Sequence, residues 1–371
     1  MIKLKILFCQ TQFKLGGQQK VLLTIAKELS KKYDVTVYYE NHNFYDLEGI
    51  QTIQPSKRVQ IFNLVIASIQ LILKKKKRKK VFADLWHLLN IKSKLKNEEY
   101  NLIVLLNPYI LFVEEIKKII KHEKIVCWTH NIYENYLESC FKYEQAKLVK
   151  SMALADQVVC LEEYTASRWS EINHKTIVIN NPVTIDTCGS VTDLKSKKIG
   201  FVGRIQMDSK GIDYLCEVVK KLPDDLVVHV VGAGRAHDEN AFTDMIKQCQ
   251  LEHRINWLGP LGEKDLVQFY KQLTIFLITS RYEGFPLVVV EAMSCGVPVV
   301  GFDIPALKEV TKNGKFGQLV PLGDVENLAK LIIELLFNKS KLEKYQKLSL
   351  KRAKMLNLES IVTKWEKEVI S

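Results

Sequence analysis

The stretch Ser280-Arg-Tyr-Glu-Gly-Phe-Pro-Leu-Val-Val-Val-Glu-Ala-Met-Ser-Cys-Gly-Val-Pro-Val-Val300 carries two carboxylates, Glu283 and Glu291, that bracket a helix start. The apolar run Ile275–Ile278 reads as a strand ending in the loop that holds Glu283. Gly284 permits close backbone approach, and Pro286 opens a helix at a position where its missing N–H costs nothing. The helix runs to about Cys295, Gly296 caps it, and Val297-Pro-Val-Val300 starts the next strand. Free N–H groups at such a helix start form an anion site suited to a diphosphate. Glu291 falls about a turn and a half into the helix, on the side facing back towards Glu283. Carboxylates beside a phosphate repel it unless they hold hydroxyls, and a ribose and a sugar ring both supply O–H donors. The plain alternative is a surface strand–loop–helix with both glutamates solvated.

A second block, Ile199-Gly-Phe-Val-Gly-Arg-Ile-Gln-Met-Asp-Ser-Lys-Gly-Ile-Asp-Tyr-Leu215, reads as strand, glycine turn and helix start. Gly203 sits in the turn. Arg204 and Lys210 are the cations that a diphosphate leaving group needs, because charge builds on it as the bond to the sugar breaks. Taken alone, Arg204 has an ordinary reading as a strand-end residue.

These two blocks closely resemble the Glu-x7-Glu and Gly-Arg…Lys-Gly motifs of family four of the glycosyltransferases, which have the GT-B fold and retain anomeric configuration. The resemblance implies that Glu283 contacts hydroxyls of the donor sugar and Glu291 the ribose, while Arg204 and Lys210 bind the diphosphate. Gly284, Phe285, Pro286 and Leu287 would line the donor. Val231-Gly-Ala-Gly-Arg235 is similar to the family's strand-end glycine turn beside the nucleotide, which places Gly232 there. Leu258-Gly-Pro-Leu261 is similar to its base-binding loop, with Leu258 and Leu261 offering mainly backbone atoms. In the first half, Gly16-Gly17 matches the family's glycine pair. His130, in Trp128-Thr-His-Asn131, matches its strand-end histidine near the reacting sugar. Ala155-Asp156 and Asn181-Pro182 fit its spacing and read as turn and hinge. The likeness is specific over about 199–330 and diffuse before 180. The nucleotide sugar is then a substrate, and no cofactor or metal is expected.

Parallel sheets must carry these loops. Leu4–Phe8, Val35–Tyr39, Leu102–Leu106, Ile125–Trp128, Val158–Leu161 and Ile177–Ile179 read as strands of the first half. Ile199–Val202, Leu226–Val231, Ile255–Leu258, Ile275–Ile278 and Val297–Phe302 read as strands of the second. Helical patterns alternate with them, giving an α/β chain with two Rossmann-like domains. In the GT-B arrangement their sheets would face a central cleft. The expected division is an acceptor-binding domain over 1–182, a nucleotide-sugar domain over 183–355, and a terminal helix over 356–371 packing back on the first. Pro182 and the polar stretch after it make 182–197 the expected linker.

With 371 residues, 47% of them hydrophobic, the chain has the size and balance of two folded domains. Its eight cysteines show no metal-type spacing and read as reduced thiols of a cytosolic protein. Residues 1–190 hold 28 Lys and Arg against 19 Asp and Glu, and the remainder 26 against 23, so the basic excess lies in the first half. The uncharged run Val59–Leu73 is too short to span a bilayer. It is followed by Lys74-Lys-Lys-Lys-Arg-Lys-Lys80 and then by Phe82 and Trp86. An apolar helix, a cation cluster and aromatic rings suit an anionic membrane surface; a buried helix with a solvated loop accounts for them equally simply. No recognised nucleic-acid module surrounds the run, so nucleic acid is not an expected partner.

The expected activity is retaining transfer of a hexose or N-acetylhexosamine, UDP-linked, to a lipid-linked saccharide or oligosaccharide in cell-surface polysaccharide biosynthesis. The expected place is the cytoplasm, at the inner face of the plasma membrane if the basic run docks there. The alternatives are a GT-B sugar-nucleotide epimerase and a basic nucleic-acid-binding protein.

Overall fold

A computed structural model describes residues 3–13, 16–55, 76–187, 189 and 191–371. The chain divides into two compact units: Met1–Ile179 with Val362–Ser371, and Asn180–Ile361.

The first unit contributes strands β1 (Lys5–Cys9), β2 (Gln12–Phe13), β3 (Asp34–Tyr38), β4 (Asn41–Asn43), β5 (Gln51–Ile53), β6 (Glu99–Leu105), β7 (Lys121–Trp128), β8 (Gln157–Cys160) and β9 (Thr176–Val178). Seven of these form one sheet in the order β5-β3-β1-β6-β7-β8-β9, while β2 and β4 pair separately. Every pairing in the seven-stranded sheet is parallel. Strand order reverses between β1 and β6, and in open sheets of this kind ligands bind outside the carboxyl ends at that reversal.

The second unit holds β10 (Ile199–Val202), β11 (Val228–Val231), β12 (Ile255–Trp257), β13 (Ile275–Ile278), β14 (Val299–Phe302) and β15 (Gln318–Val320). They lie in the order β12-β11-β10-β13-β14-β15, again all parallel. The reversal falls between β10 and β13, the two strands that lead into the cationic block and the paired-glutamate block. Every residue of β8, β10, β13 and β14 is buried. Burial on both faces explains why these strands are continuous apolar runs rather than alternating ones. The two expected Rossmann-like α/β domains are thus observed.

Residues 362–371 complete the first unit. The Trp365 ring is fully buried, with its centroid 4.8 Å from that of Trp128 and 6.4 Å from that of Phe8. Lys124 Nζ donates to the Val369 carbonyl at 2.7 Å, and Gln157 Nε2 donates to that of Glu368 at 3.1 Å. The polar stretch 182–197, where described, is bound into the second unit partly by its hydroxyls. Thr192 Oγ1 donates to the Leu273 carbonyl at 2.5 Å, and Thr184 Oγ1 to Glu291 at 2.8 Å.

The run Val59–Leu73 lies outside the described residues. The basic run falls largely on the helix Lys76–Leu95, whose later turns place Ile91 and Leu95 in the core of the first unit. Among the described residues, no helix is long and apolar enough to cross a membrane. Of the described cysteines, five are buried, and burial pushes the Cys160 and Cys216 thiols up to about 12.

Candidate functional site

The loops after β10, β11 and β12 are joined by backbone hydrogen bonds. Gly203 N–H donates to the Val231 carbonyl at 3.0 Å, Ile205 N–H to that of Ala233 at 3.0 Å, and Gly232 N–H to that of Gly259 at 2.8 Å. Gly232 has φ +140°, and a Cβ there would lie 1.8 Å from the Gly203 carbonyl oxygen. Only glycine allows the two strand ends to meet this closely. The Leu258–Leu261 loop leaves Leu258 exposed and Leu261 half-buried.

Across the reversal, the loop after β13 is locked to the segment after β10. Arg281 N–H donates to the Ser209 carbonyl at 2.9 Å, and Arg281 Nη1 donates to that of Met207 at 3.1 Å. The Arg281 guanidinium also grips the Asp213 carboxylate with both nitrogens, at 2.8 and 2.5 Å, and lies over the Tyr214 ring. The Arg281 hydrogen bond holds the Asp213 carboxyl below the usual range. Thr279 Oγ1 donates to the Lys210 carbonyl at 3.1 Å, and Gly211, at φ +59°, brings its Cα against Thr279. The sequence singled out neither Arg281 nor Asp213. They are 68 residues apart, and each looks like an ordinary surface charge until the loops are brought together.

This lock places Lys210 against Glu283. Lys210 Nζ lies 2.5 Å from Glu283 Oε1, which also accepts from Ser280 Oγ at 2.7 Å. Both side chains are nearly withdrawn from solvent, at 14% and 12% exposed, so their attraction is screened little. Arg204, by contrast, is exposed and makes no ion pair or hydrogen bond among the described residues. It is an exposed cation just beyond β10.

The helix expected after Pro286 is present as Leu287–Ser294, with Gly296 at φ +73° beyond its end. No side chain caps its start. Phe285 and Pro286 are buried, whereas Gly284 and Leu287 are half-buried. Glu291 is buried, and its oxygens accept from Thr184 Oγ1 at 2.8 Å and Tyr270 Oη at 3.2 Å. Burial first, and then the neighbouring Glu291 charge, raise the Tyr270 phenol well above its ordinary range. Glu283 and Glu291 are therefore held by different partners, the first by Lys210 and the Ser280 hydroxyl and the second by hydroxyls that include those of Thr184 and Tyr270.

In the first unit, Gly16 and Gly17 stand where the helix Gly17–Ser30 begins, and the Gly16 backbone is held by Tyr45 Oη. His130 follows the end of β7. Its N–H donates to Tyr136 Oη at 2.9 Å, and its ring lies against Trp128, with centroids 4.3 Å apart. Part of the residue reaches solvent, but Nε2 is shielded and has no hydrogen-bond partner among the described residues. Burial pushes the imidazole down to about 3, so it stays neutral near pH 7.

Residues 15–187 match the family model of Glycosyltransferase Family 4, and residues 189–352 match that of Glycosyl transferases group 1. An uncharacterized glycosyltransferase of Haemophilus influenzae is 25% identical over 369 residues, 95% of each chain. A D-inositol 3-phosphate glycosyltransferase of a Mycobacterium species is 34% identical over 147 residues, which cover 39% of this chain and 33% of that one. Among solved structures, Anabaena HepE in complex with UDP and glucose superposes with a TM-score of 0.75 over 99% of both chains, at 18% identity. At that identity the likeness concerns the fold. Two family models laid end to end over nearly the whole chain, on two parallel Rossmann-like units, make this protein a glycosyltransferase of the GT-B fold, similar to family four.

Proposed function

We propose that the chain transfers a hexose or N-acetylhexosamine from a UDP-linked donor, with retention of configuration, to a hydroxyl of a lipid-linked saccharide in cell-surface polysaccharide synthesis. The contact of Lys210 with Glu283 at the sheet reversal carries this reading. It puts a cation for the leaving diphosphate within 2.5 Å of a carboxylate able to hold sugar hydroxyls. The UDP and glucose bound to the Anabaena protein favour a uridine donor.

In this reading the diphosphate lies at the uncapped start of Leu287–Ser294, with Lys210 and the exposed Arg204 neutralising it as the glycosidic bond breaks. Glu283 orients the donor sugar. Glu291 holds the ribose by accepting its hydroxyls in place of, or beside, Thr184 and Tyr270. His130, neutral and just beyond β7, accepts or donates a hydrogen bond to the reacting sugar without adding charge. No carboxylate in the motifs is left to act as a nucleophile. The acceptor therefore attacks on the face the diphosphate leaves, and a diphosphate oxygen takes its proton.

Incubation with a panel of UDP-, GDP- and ADP-sugars, scoring donor hydrolysis and the anomer formed on a saccharide acceptor, tests the proposal. Cleavage of a UDP-sugar with an α product is expected. Isomerisation of the donor without transfer would show an epimerase instead.

A further inference from the structure

At the carboxyl end of the first unit's sheet, a buried carboxylate is tied to an imidazole. Glu40 follows β3, and its side chain is 2% exposed. Glu40 Oε1 accepts from Tyr109 Oη at 2.5 Å, and both carboxylate oxygens lie within 3.0 Å of His87 Nδ1. Tyr109 lies just beyond the end of β6, and Cys9, whose thiol burial and the Glu40 charge push up, ends β1. The three strands β3, β1 and β6 are neighbours, and the reversal of strand order lies between the last two. The cluster thus occupies the place in this sheet that corresponds to the Lys210–Glu283 site in the other.

A carboxylate this deep costs several kcal/mol unless it is paired, and an apolar group of equal size is the cheaper filling. Its pairing is one-sided. Nδ1 of His87 faces Glu40, so Nε2, across the ring, points away from it. The His87 side chain keeps 19% of its surface exposed, and Nε2 makes no hydrogen bond among the described residues. The Tyr109 and Phe112 rings flank the imidazole, with centroids 5.6 and 6.3 Å away, and fix its plane. A carboxylate behind Nδ1 and an open Nε2 form an oriented hydrogen-bonding group.

We propose that His87, held by Glu40 and Tyr109, binds a hydroxyl of the saccharide acceptor. This rests on the reading above that the chain moves a sugar to a hydroxyl. A hydroxyl both donates and accepts, so it satisfies Nε2 whether the imidazole is neutral or protonated. A phosphate at Nε2 would meet the Glu40 charge on the far side of the ring, which disfavours an anion. Glu40 and Tyr109 act through the imidazole and are positioning residues.

The test uses the full chain with 13C-labelled histidine, the His87 Cε1–H signal being identified by its loss in His87→Gln. Methyl α-glycosides of glucose, galactose, mannose and N-acetylglucosamine are titrated with UDP present, and UDP affinity is measured separately by calorimetry. At least one glycoside is expected to shift the His87 signal saturably. Its affinity should fall by about tenfold or more in both Glu40→Gln and His87→Gln, with UDP affinity unchanged. If UDP binds but no glycoside moves the signal, or if a glycoside binds equally well to His87→Gln, the proposal is wrong. A His87 shift produced by UDP alone would give the pair to the nucleotide and also overturn it. Failure of UDP to bind would remove the uridine-donor reading instead, while the glycoside titration, repeated without UDP, would still decide the role of His87.

Discussion

Lys210 and Arg204 differ in a way their spacing in the sequence does not reveal. One is already paired with Glu283, and the other is exposed and without an ion pair among the described residues. Replacing either with Ala should lower turnover by ~10²–10³, because each would act on charge that grows at the transition state. Lys210→Ala should also release Glu283 and so impair sugar discrimination, which Arg204→Ala should not. Steady-state kinetics with two competing UDP-sugars reads both effects, and equal selectivity in the two variants would mean that the pairing is idle. His130 carries a pH signature of its own. Its pKa is depressed from 6.5 to about 3, so between those values the unfolded chain binds the proton that the folded one refuses. Stability therefore rises with pH across that window, is lost as pH falls below 6.5, and is unaffected by His130 above it. His130→Phe should keep the ring contact with Trp128 and flatten the fall in thermal midpoint on acidification. Lys210 and Glu283 were legible because each sits in a recognisable strand–loop–helix block. Arg281, Asp213, Glu40, His87 and Tyr109 were not, because what gives each meaning is a partner some fifty to seventy positions away, and sequence spacing shows no such pairing.

At the scale of elements, the central strands announce themselves as β-branched runs, and Ile199–Val202 and Ile275–Ile278 fall where the apolar pattern puts them. Two of the outermost strands, β5 and β15, do not. Gln51–Ile53 and Gln318–Val320 are three residues long, carry a glutamine and are less buried, so neither length nor hydropathy separates them from loops. The terminal helical segment shows the reverse case. Its apolar spacing was plain, but not that Trp365 would lie against Trp128 and Phe8. Trp365→Ala should destabilise the first unit by about 3–5 kcal/mol, the usual cost of emptying a site of that size. Denaturant unfolding followed by Trp fluorescence would register it as a lower midpoint for that unit. An unchanged midpoint would mean that the ring is a passenger.

For the whole molecule, the excess of positive charge in the first half is the feature that most needs a partner. If the run Lys74–Lys80 meets an anionic surface, each cation contributes ~1 kcal/mol, enough in aggregate for reversible attachment. The protein should then co-sediment with vesicles containing phosphatidylserine or phosphatidylglycerol and not with neutral ones, and changing the run to Gln should abolish this. Equal behaviour on both kinds of vesicle would leave the lysines as solvated charges. The chain path has a different consequence. Residues 362–371 belong to the unit that begins the chain, yet they are made after all of Asn180–Ile361. On the ribosome, then, the domain started first is finished last. Until Trp365 emerges, Phe8 and Trp128 lack the ring that covers them, and the second unit has every residue it needs while the first waits. A released chain truncated after Ile361 should accordingly resist protease over its later half and yield over its earlier one, inverting the order in which the two were synthesised.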